Sequence, residues 1–146
     1  ELGDLEGARV QLEASNKLAQ AAMQGMRPMV LSALGTAYAR IGDRDQALQT
    51  WSEGLEVARA MGTRPDEAAI LLSRGLALTA DLDPDWDAAL ADLEASAGLF
   101  EEMGMVPDLV RALEALGNGL QRVGREDEAA RRLARAAELK SSPSAT

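Results

Sequence analysis

Large apolar residues recur along this chain at steps of three and four, the period of one helix face rather than of a strand. Leu31, Leu34, Tyr38 and Ile41 form one series, Leu48, Trp51, Leu55 and Ala58 a second, and Leu109, Leu113, Leu116 and Leu120 a third. No stretch alternates at period two for long enough to propose a sheet. The pattern predicts an all-α chain of about seven helices, over 4–23, 28–41, 44–60, 65–80, 85–102, 107–122 and 126–140.

Two kinds of junction separate these runs. Gly25-Met26-Arg27-Pro28, Gly62-Thr63-Arg64-Pro65 and Gly104-Met105-Val106-Pro107 share the form G-x-x-P, each shortly after a methionine at 23, 61 or 103. Glycine closes a helix in the left-handed conformation and proline suits the first turn of the next, so all three are expected to be helix-to-helix turns. Between them lie acidic starts: Gly3-Asp4-Leu5-Glu6, Gly42-Asp43-Arg44-Asp45, Asp83-Pro84-Asp85-Trp86-Asp87 and Gly124-Arg125-Glu126-Asp127. Carboxylates there suit capping and the helix dipole. With Ala8, Ala47, Ala89 and Ala129 taken as equivalent, the steps are 39, 42 and 40 residues.

A period near 40 with alternating junctions predicts antiparallel helix pairs in series. The residues resemble the tetratricopeptide repeat family. The unit from Pro28 supplies Leu31, Leu34, Gly35, Tyr38, Gly42, Ala47, Trp51 and Gly54; that from Val110 supplies Leu113, Leu116, Gly117, Leu120, Gly124, Ala129, Leu133 and Ala136. In the middle unit Leu71, Gly75, Leu78, Ala89 and Leu93 fit, but Arg74 stands at a leucine position and the turn 81–85 carries two extra residues. The first unit keeps only Gly3, Ala8 and Leu12.

The resemblance implies a right-handed helical solenoid over 1–140, in units 1–25 (partial), 28–62, 65–104 and 107–140, followed by a small polar tail, 141–146, expected to be disordered. Gly35, Gly75 and Gly117 leave room for a neighbouring helix, while Tyr38, Leu78, Leu120 and Trp51 fill the space between paired helices. The repeat exceeds the family's usual length of about 34. The long variant is similar to regulatory regions of large bacterial signalling ATPases, transcriptional activators and cyclase-type proteins, where stretches like Leu99-Phe100-Glu101-Glu102-Met103 recur. A chain opening at Glu1 and running at once into a helix pattern is expected to be a piece of such a larger protein.

In this family the first helix of each pair lines a concave groove. The resemblance places there Met29, Ser32, Thr36 and Arg40; Ala69, Leu72, Ser73 and Leu76; and Arg111, Glu114, Asn118, Gln121 and Arg122. At the sites where some members clamp a C-terminal carboxylate, only Arg111 fits, so that ligand is not expected. A mixed groove, apolar in its middle, suits a peptide or helix with a few apolar anchors.

Composition narrows the chemistry. No histidine and no cysteine occur among the 146 residues, which removes His and thiolate metal sites, Ser-His-Asp and Cys-His nucleophiles, and disulfides. A net charge of −9 argues against nucleic acid, whose binding draws on clustered Lys and Arg. No apolar run is long enough for a membrane span and no signal peptide is evident, so a cytoplasmic location is expected. Few aromatics among many Ala, Leu and Gly residues suit closely packed helix pairs.

Several local features invite chemistry. Asp81, Asp83, Asp85 and Asp87 alternate as in a calcium loop, with Glu94 twelfth from Asp83, yet Ala88 occupies the sixth position where that loop needs glycine. An acidic turn with a capping aspartate is the expectation. From 81 to 108 there are nine acidic residues and no basic one, which marks a solvated face or a docking surface for a basic partner. The last helix is basic through Arg125, Arg131, Arg132, Arg135 and Lys140, much of it expected to pair with Glu128 and Glu138. Arg74 breaks its own repeat; a carboxylate such as Asp81 or Asp108 is its expected partner, unless it lines the groove as a ligand contact. Trp86 is expected to pack in the widened turn.

The resulting expectation is a non-enzymatic interaction module, without cofactor or metal, that binds a protein, a peptide or another domain of its parent chain. Self-assembly is the first alternative, because a first helix 4–23 without its partner exposes Leu5, Leu12 and Leu18 and permits a homodimer through terminal helices. A small-molecule effector sensor is the second. Nothing resembling a nucleophile, base pair or phosphate loop argues for an enzyme.

Overall fold

The computed structural model describes residues 2–142, with side chains from residue 7 onward except at 12, 16, 19 and 20. Among the described residues it is all-helical. Six helices follow in order: α1 (Leu2–Arg40), α2 (Arg44–Met61), α3 (Arg64–Thr79), α4 (Trp86–Met103), α5 (Val106–Arg122) and α6 (Glu126–Ser141). The last five match the expected boundaries to within one residue at either end. Ser141 belongs to α6 and Ser142 is extended; the remaining part of the expected tail, 143–146, lies outside the described residues.

The short junctions are built by glycine. Gly42, Gly62, Gly104 and Gly124 have φ between 68° and 84°, the left-handed region that side chains with a Cβ enter at a cost. At each, the next residue's N–H returns to a carbonyl five residues back: Asp43 to Tyr38, Thr63 to Ala58, Met105 to Phe100 and Arg125 to Leu120, at 2.9–3.0 Å. These closures reverse the chain within three residues. The junction after α3 has no such glycine and is longer. Asp43 and Asp85 cap the helices they precede, accepting from Gln46 N at 3.2 Å and Ala88 N at 3.1 Å.

The front of the chain departs from expectation. Gly25-Met26-Arg27-Pro28 makes no turn; 4–23 and 28–41 are joined in the single helix α1, so the boundary expected between units at 25–28 falls inside it. Register supplies the reason. Gly62 and Gly104 stand thirteen residues before Gly75 and Gly117, whereas Gly25 stands only ten before Gly35. The residue at the turn glycine's place is Ala22, which resists the left-handed conformation. Pro28 correspondingly aligns with Ala68, inside α3, rather than with Pro65 at its start. Continuing through Pro28 forfeits the hydrogen bond to the Gln24 carbonyl, but the ring is fully buried, which offsets part of that loss. Every described side chain from residue 7 to Arg27 is exposed, Leu18 among them at 72 %. Leu5 and Leu12 lie outside the described side chains.

From Pro28 onward each helix packs on the next, α1 also touches α3, and α3 touches α5. The closest approach repeats three times. A Cβ placed on Gly35 would stand 2.5 Å from Trp51 Cδ1, one on Gly75 2.8 Å from Leu93 Cγ, and one on Gly117 2.6 Å from Leu133 Cγ. The room left by these glycines is thus filled first by a large side chain of the following helix. Backbone comes next, with the Ala89 and Ala129 carbonyls at 3.3 and 3.4 Å from the latter two positions. The apolar interior divides into a group around Trp51, Leu55, Ile70 and Leu71, and a larger one holding Leu93, Phe100, Leu113, Leu116 and Leu120. Buried polar atoms are answered: Trp51 Nε1 donates to the Ser32 carbonyl at 3.2 Å and Ser96 Oγ to the Ala68 carbonyl at 2.9 Å. Among the described residues no buried side-chain polar atom lacks a partner.

Candidate functional site

The groove positions lie on the later part of α1, on α3 and on α5, but they do not share one environment. Met29 and Arg40 on α1, Leu76 on α3, and Arg111, Asn118 and Gln121 on α5 are exposed. Ser32 and Thr36 are half-buried, and Thr36 Oγ1 donates to the Ser32 carbonyl at 3.1 Å within its own helix. Ser73 and Ala69 are half-buried. Leu72 is not a groove residue: at 4 % exposure it belongs to the larger apolar core, which it shares with residues of α4 and α5. Among the expected groove positions the exposed large apolar residues are therefore Met29 and Leu76.

Three charged groove candidates are engaged elsewhere. Arg74 forms a two-pronged pair with Asp92 of α4, Nε to Oδ2 at 2.6 Å and Nη2 to Oδ1 at 2.8 Å, and its Nη1 reaches Ser52 Oγ of α2 at 3.4 Å. Neither Asp81 nor Asp108 is its partner: Asp81 pairs with Arg44, and Asp108 sits 3.8 Å from Arg111. Asp92 is buried and the Arg74 side chain three-quarters covered, so the guanidinium serves α2, α3 and α4 from within rather than facing a groove ligand. Glu114 pairs with Lys140 of α6. Arg122 lies 5.0 Å over the Trp86 ring and donates to the Thr79 carbonyl at 3.3 Å, which satisfies a free carbonyl at the end of α3. Trp86 in turn packs on α5, 3.7 Å from where a Cβ at Gly119 would stand.

Six of the nine carboxylates in 81–108 are answered by arginines, five of them on other elements. Asp81 pairs with Arg44, Asp92 with Arg74, Glu94 with Arg132, Glu101 with Arg135, Glu102 with Arg64 and Asp108 with Arg111. The Arg44, Arg64 and Arg132 pairs join residues 37 or 38 apart, close to one repeat. The Arg44 and Arg132 pairs link one helix pair to the next and the Arg64 pair ties α3 to α4, while Asp83 and Asp87 stay outside any ion pair among the described residues. Asp85 is spent on capping α4, and among the described residues no cluster of His, Cys, Asp or Glu is placed to hold a metal ion. In the basic last helix, Glu128 accepts a 2.6 Å bond from Arg125. That hydrogen bond, aided by nearby arginine charge, holds the Glu128 carboxyl below its ordinary range despite partial desolvation, and raises Arg125.

One concavity had no forewarning in the apolar pattern. A cavity of about 240 Å³ opens between the ends of α1, α2 and α3, lined by Ala39, Ala47, Leu48, Trp51, Ala77 and Leu78 and fenced by the Arg44–Asp81 pair. The small residues Ala39, Ala47 and Ala77 and the two extra turn residues at 81–85 are the signals that mark it. Among the described residues no helix is long and apolar enough to cross a membrane. Comparison of the chain with family models, with curated proteins and with solved structures gives no match.

Proposed function

We propose that this chain is a non-enzymatic interaction module of the tetratricopeptide type, which holds a peptide or helix of a cytoplasmic partner, or of its own parent signalling protein, along the face of its first helices. The observation that supports this reading is the lateral contact of α1 with α3 and of α3 with α5, with Met29 and Leu76 exposed among Thr36, Asn118 and Gln121. Two apolar anchors set in a polar surface favour an amphipathic segment over a fully apolar or strongly charged one. The helix-pair register, repeated by Gly35, Gly75 and Gly117 against Trp51, Leu93 and Leu133, supports the solenoid arrangement on which such a face depends.

The test uses a displayed library of 16-residue peptides selected on the intact chain. Binders that carry two apolar anchors and lose at least tenfold in affinity for Leu76→Glu support the reading. Leu76 is 40 % exposed, so this variant keeps the parent's helical circular dichroism. Failure to enrich any binder, or binders indifferent to Leu76→Glu and Met29→Glu, would sink it.

A further inference from the structure

One face of α1 has a counterpart in each later first helix. Counted from the close-packed glycine, Val30 stands where α3 has Ile70 and α5 has Ala112, and Leu34 where α5 has Leu116. Ile70, Ala112 and Leu116 are at most 1 % exposed, whereas Val30 and Leu34 are 53 and 42 % exposed. The counterparts are covered by the preceding helix. Ile70 Cδ1 lies 2.9 Å from where a Cβ on Gly54 of α2 would stand, and Leu90 Cδ2 of α4 lies 3.1 Å from one on Gly119 of α5. A straight α1 has no preceding helix, and its own front half is out of reach, residue 15 being about 22 Å along the axis from residue 30.

Residues 8–19 nevertheless carry the register of a covering helix. Ala8, Leu12, Ser15 and Ala19 match Ala47, Trp51, Gly54 and Ala58 of α2, and Ala89, Leu93, Ser96 and Phe100 of α4. On a continuous helix these positions share one stripe with 22, 23, 26, 30, 33 and 37. The stripe reads the same from both ends, with its midpoint between Ala22 and Met23.

We propose that this stripe seats a second copy of the chain, the two α1 helices lying antiparallel about a two-fold axis at Ala22 and Met23. That register sets position 22 opposite 23, 19 opposite 26, 15 opposite 30, 12 opposite 33 and 8 opposite 37. Ala22 meets Met23 and Ser15 meets Val30, so each of these large residues faces a small one. Ser15 on Val30 reproduces Gly54 on Ile70, and the dimer continues across two chains the contact that α2 makes with α3 within one. An open apolar hollow of about 330 Å³, lined by Met23, Gln24, Met26, Arg27 and Val30, lies beside the axis and in this register faces Ala22 and Ser15 of the other copy. Each copy presents the same patch, so the interface closes as a pair and does not propagate.

Light scattering across 5 to 200 µM, about the range of a modest interface, is the first arm. The parent chain is expected at twice its 15.4 kDa mass and Val30→Glu at the single mass, with dissociation strengthened roughly 30-fold or more. Met26→Glu serves as a second disrupting variant, and Ile41→Glu, exposed at the far end of α1, keeps the dimer. The second arm is Ser15→Cys with Val30→Cys, clean because the chain has no native cysteine, oxidised with glutathione disulfide. A covalent dimer on a non-reducing gel supports the proposal. A parent monomeric at 200 µM, an internally crosslinked monomer, or a dimer untouched by Val30→Glu and Met26→Glu overturns it. Dimerisation with failed peptide selection would leave this proposal standing while removing the groove, and the converse outcome would separate them equally well.

Discussion

Gly35→Ala adds one methyl group at the tightest helix crossing. The new Cβ would stand 2.5 Å from Trp51 Cδ1 and 2.7 Å from Cε2, well inside contact distance. The indole has nowhere to retreat: Trp51 is 1 % exposed and walled by Ala47, Leu55 and Leu71. Overpacking of this kind costs about 1–3 kcal/mol. Displacing the ring also loosens its 3.2 Å bond to the Ser32 carbonyl, a further ~1 kcal/mol. Against this, replacing a helical glycine by alanine returns about 0.5–1 kcal/mol. The net expectation is destabilisation by about 1–3 kcal/mol, or a melting point roughly 3–10 °C lower for a chain of this size. Urea unfolding followed by circular dichroism and, in a Trp86→Phe background, by the Trp51 emission reads both the stability and the ring's environment. The same change at Gly25, where an added Cβ meets nothing within 4 Å, is expected to stabilise by about 0.5–1 kcal/mol. Equal effects of one sign at the two glycines would refute the reasoning.

Three further expectations follow from the charged residues. Arg74→Leu restores the repeat's leucine but strands the buried Asp92, with an expected loss of about 2–4 kcal/mol in thermal or urea unfolding, given that the guanidinium is partly exposed. Adding Asp92→Thr, the residue type that Thr50 places at the corresponding buried position, should recover most of that loss; a double variant as unstable as the single would show that the pair is not the cause. Arg125→Ala removes the main hydrogen bond to Glu128, so the Glu128 carboxyl should titrate at higher pH by carbon-detected NMR. Because the folded value is depressed, the pair's small contribution is present above the unfolded carboxyl's pKa and fades as pH falls through the folded one; an unshifted titration would show that Arg125 does not set it.

The later helices were legible because local signals and packing agreed there. Gly62 and Gly104 offered turns where α2 had α3 to pack on and α4 had α5, so the glycines were used. At Gly25 the same four-residue form was present, but three residues out of step with Gly35, and a motif read without its register misplaced the turn. Arg74 was correctly singled out as needing a carboxylate, while its partner lay in the next helix rather than in the nearby turn. Asp92 looked unremarkable in sequence because its burial depends on α3 lying alongside α4. The groove positions were readable only as places on helices; which of them faced outward depended on how Leu72 is taken into the core shared with α4 and α5 and how α6 draws off Glu114. The acidic stretch looked unpaired because five of its six arginine partners lie 18 to 38 residues away.

The course of α1 carries the central claim, since a straight first helix both leaves the Val30 face open and sets the repeat register. Spin labels at Gln11→Cys and Arg40→Cys, both exposed, with labelled chain diluted in unlabelled chain, report the distance within one copy by double electron–electron resonance. A continuous helix places them about 44 Å apart along its axis. A dominant distance near 45 Å is the expected result; one below about 20 Å would mean that the chain turns back at Gly25 to Pro28, and would contradict the account.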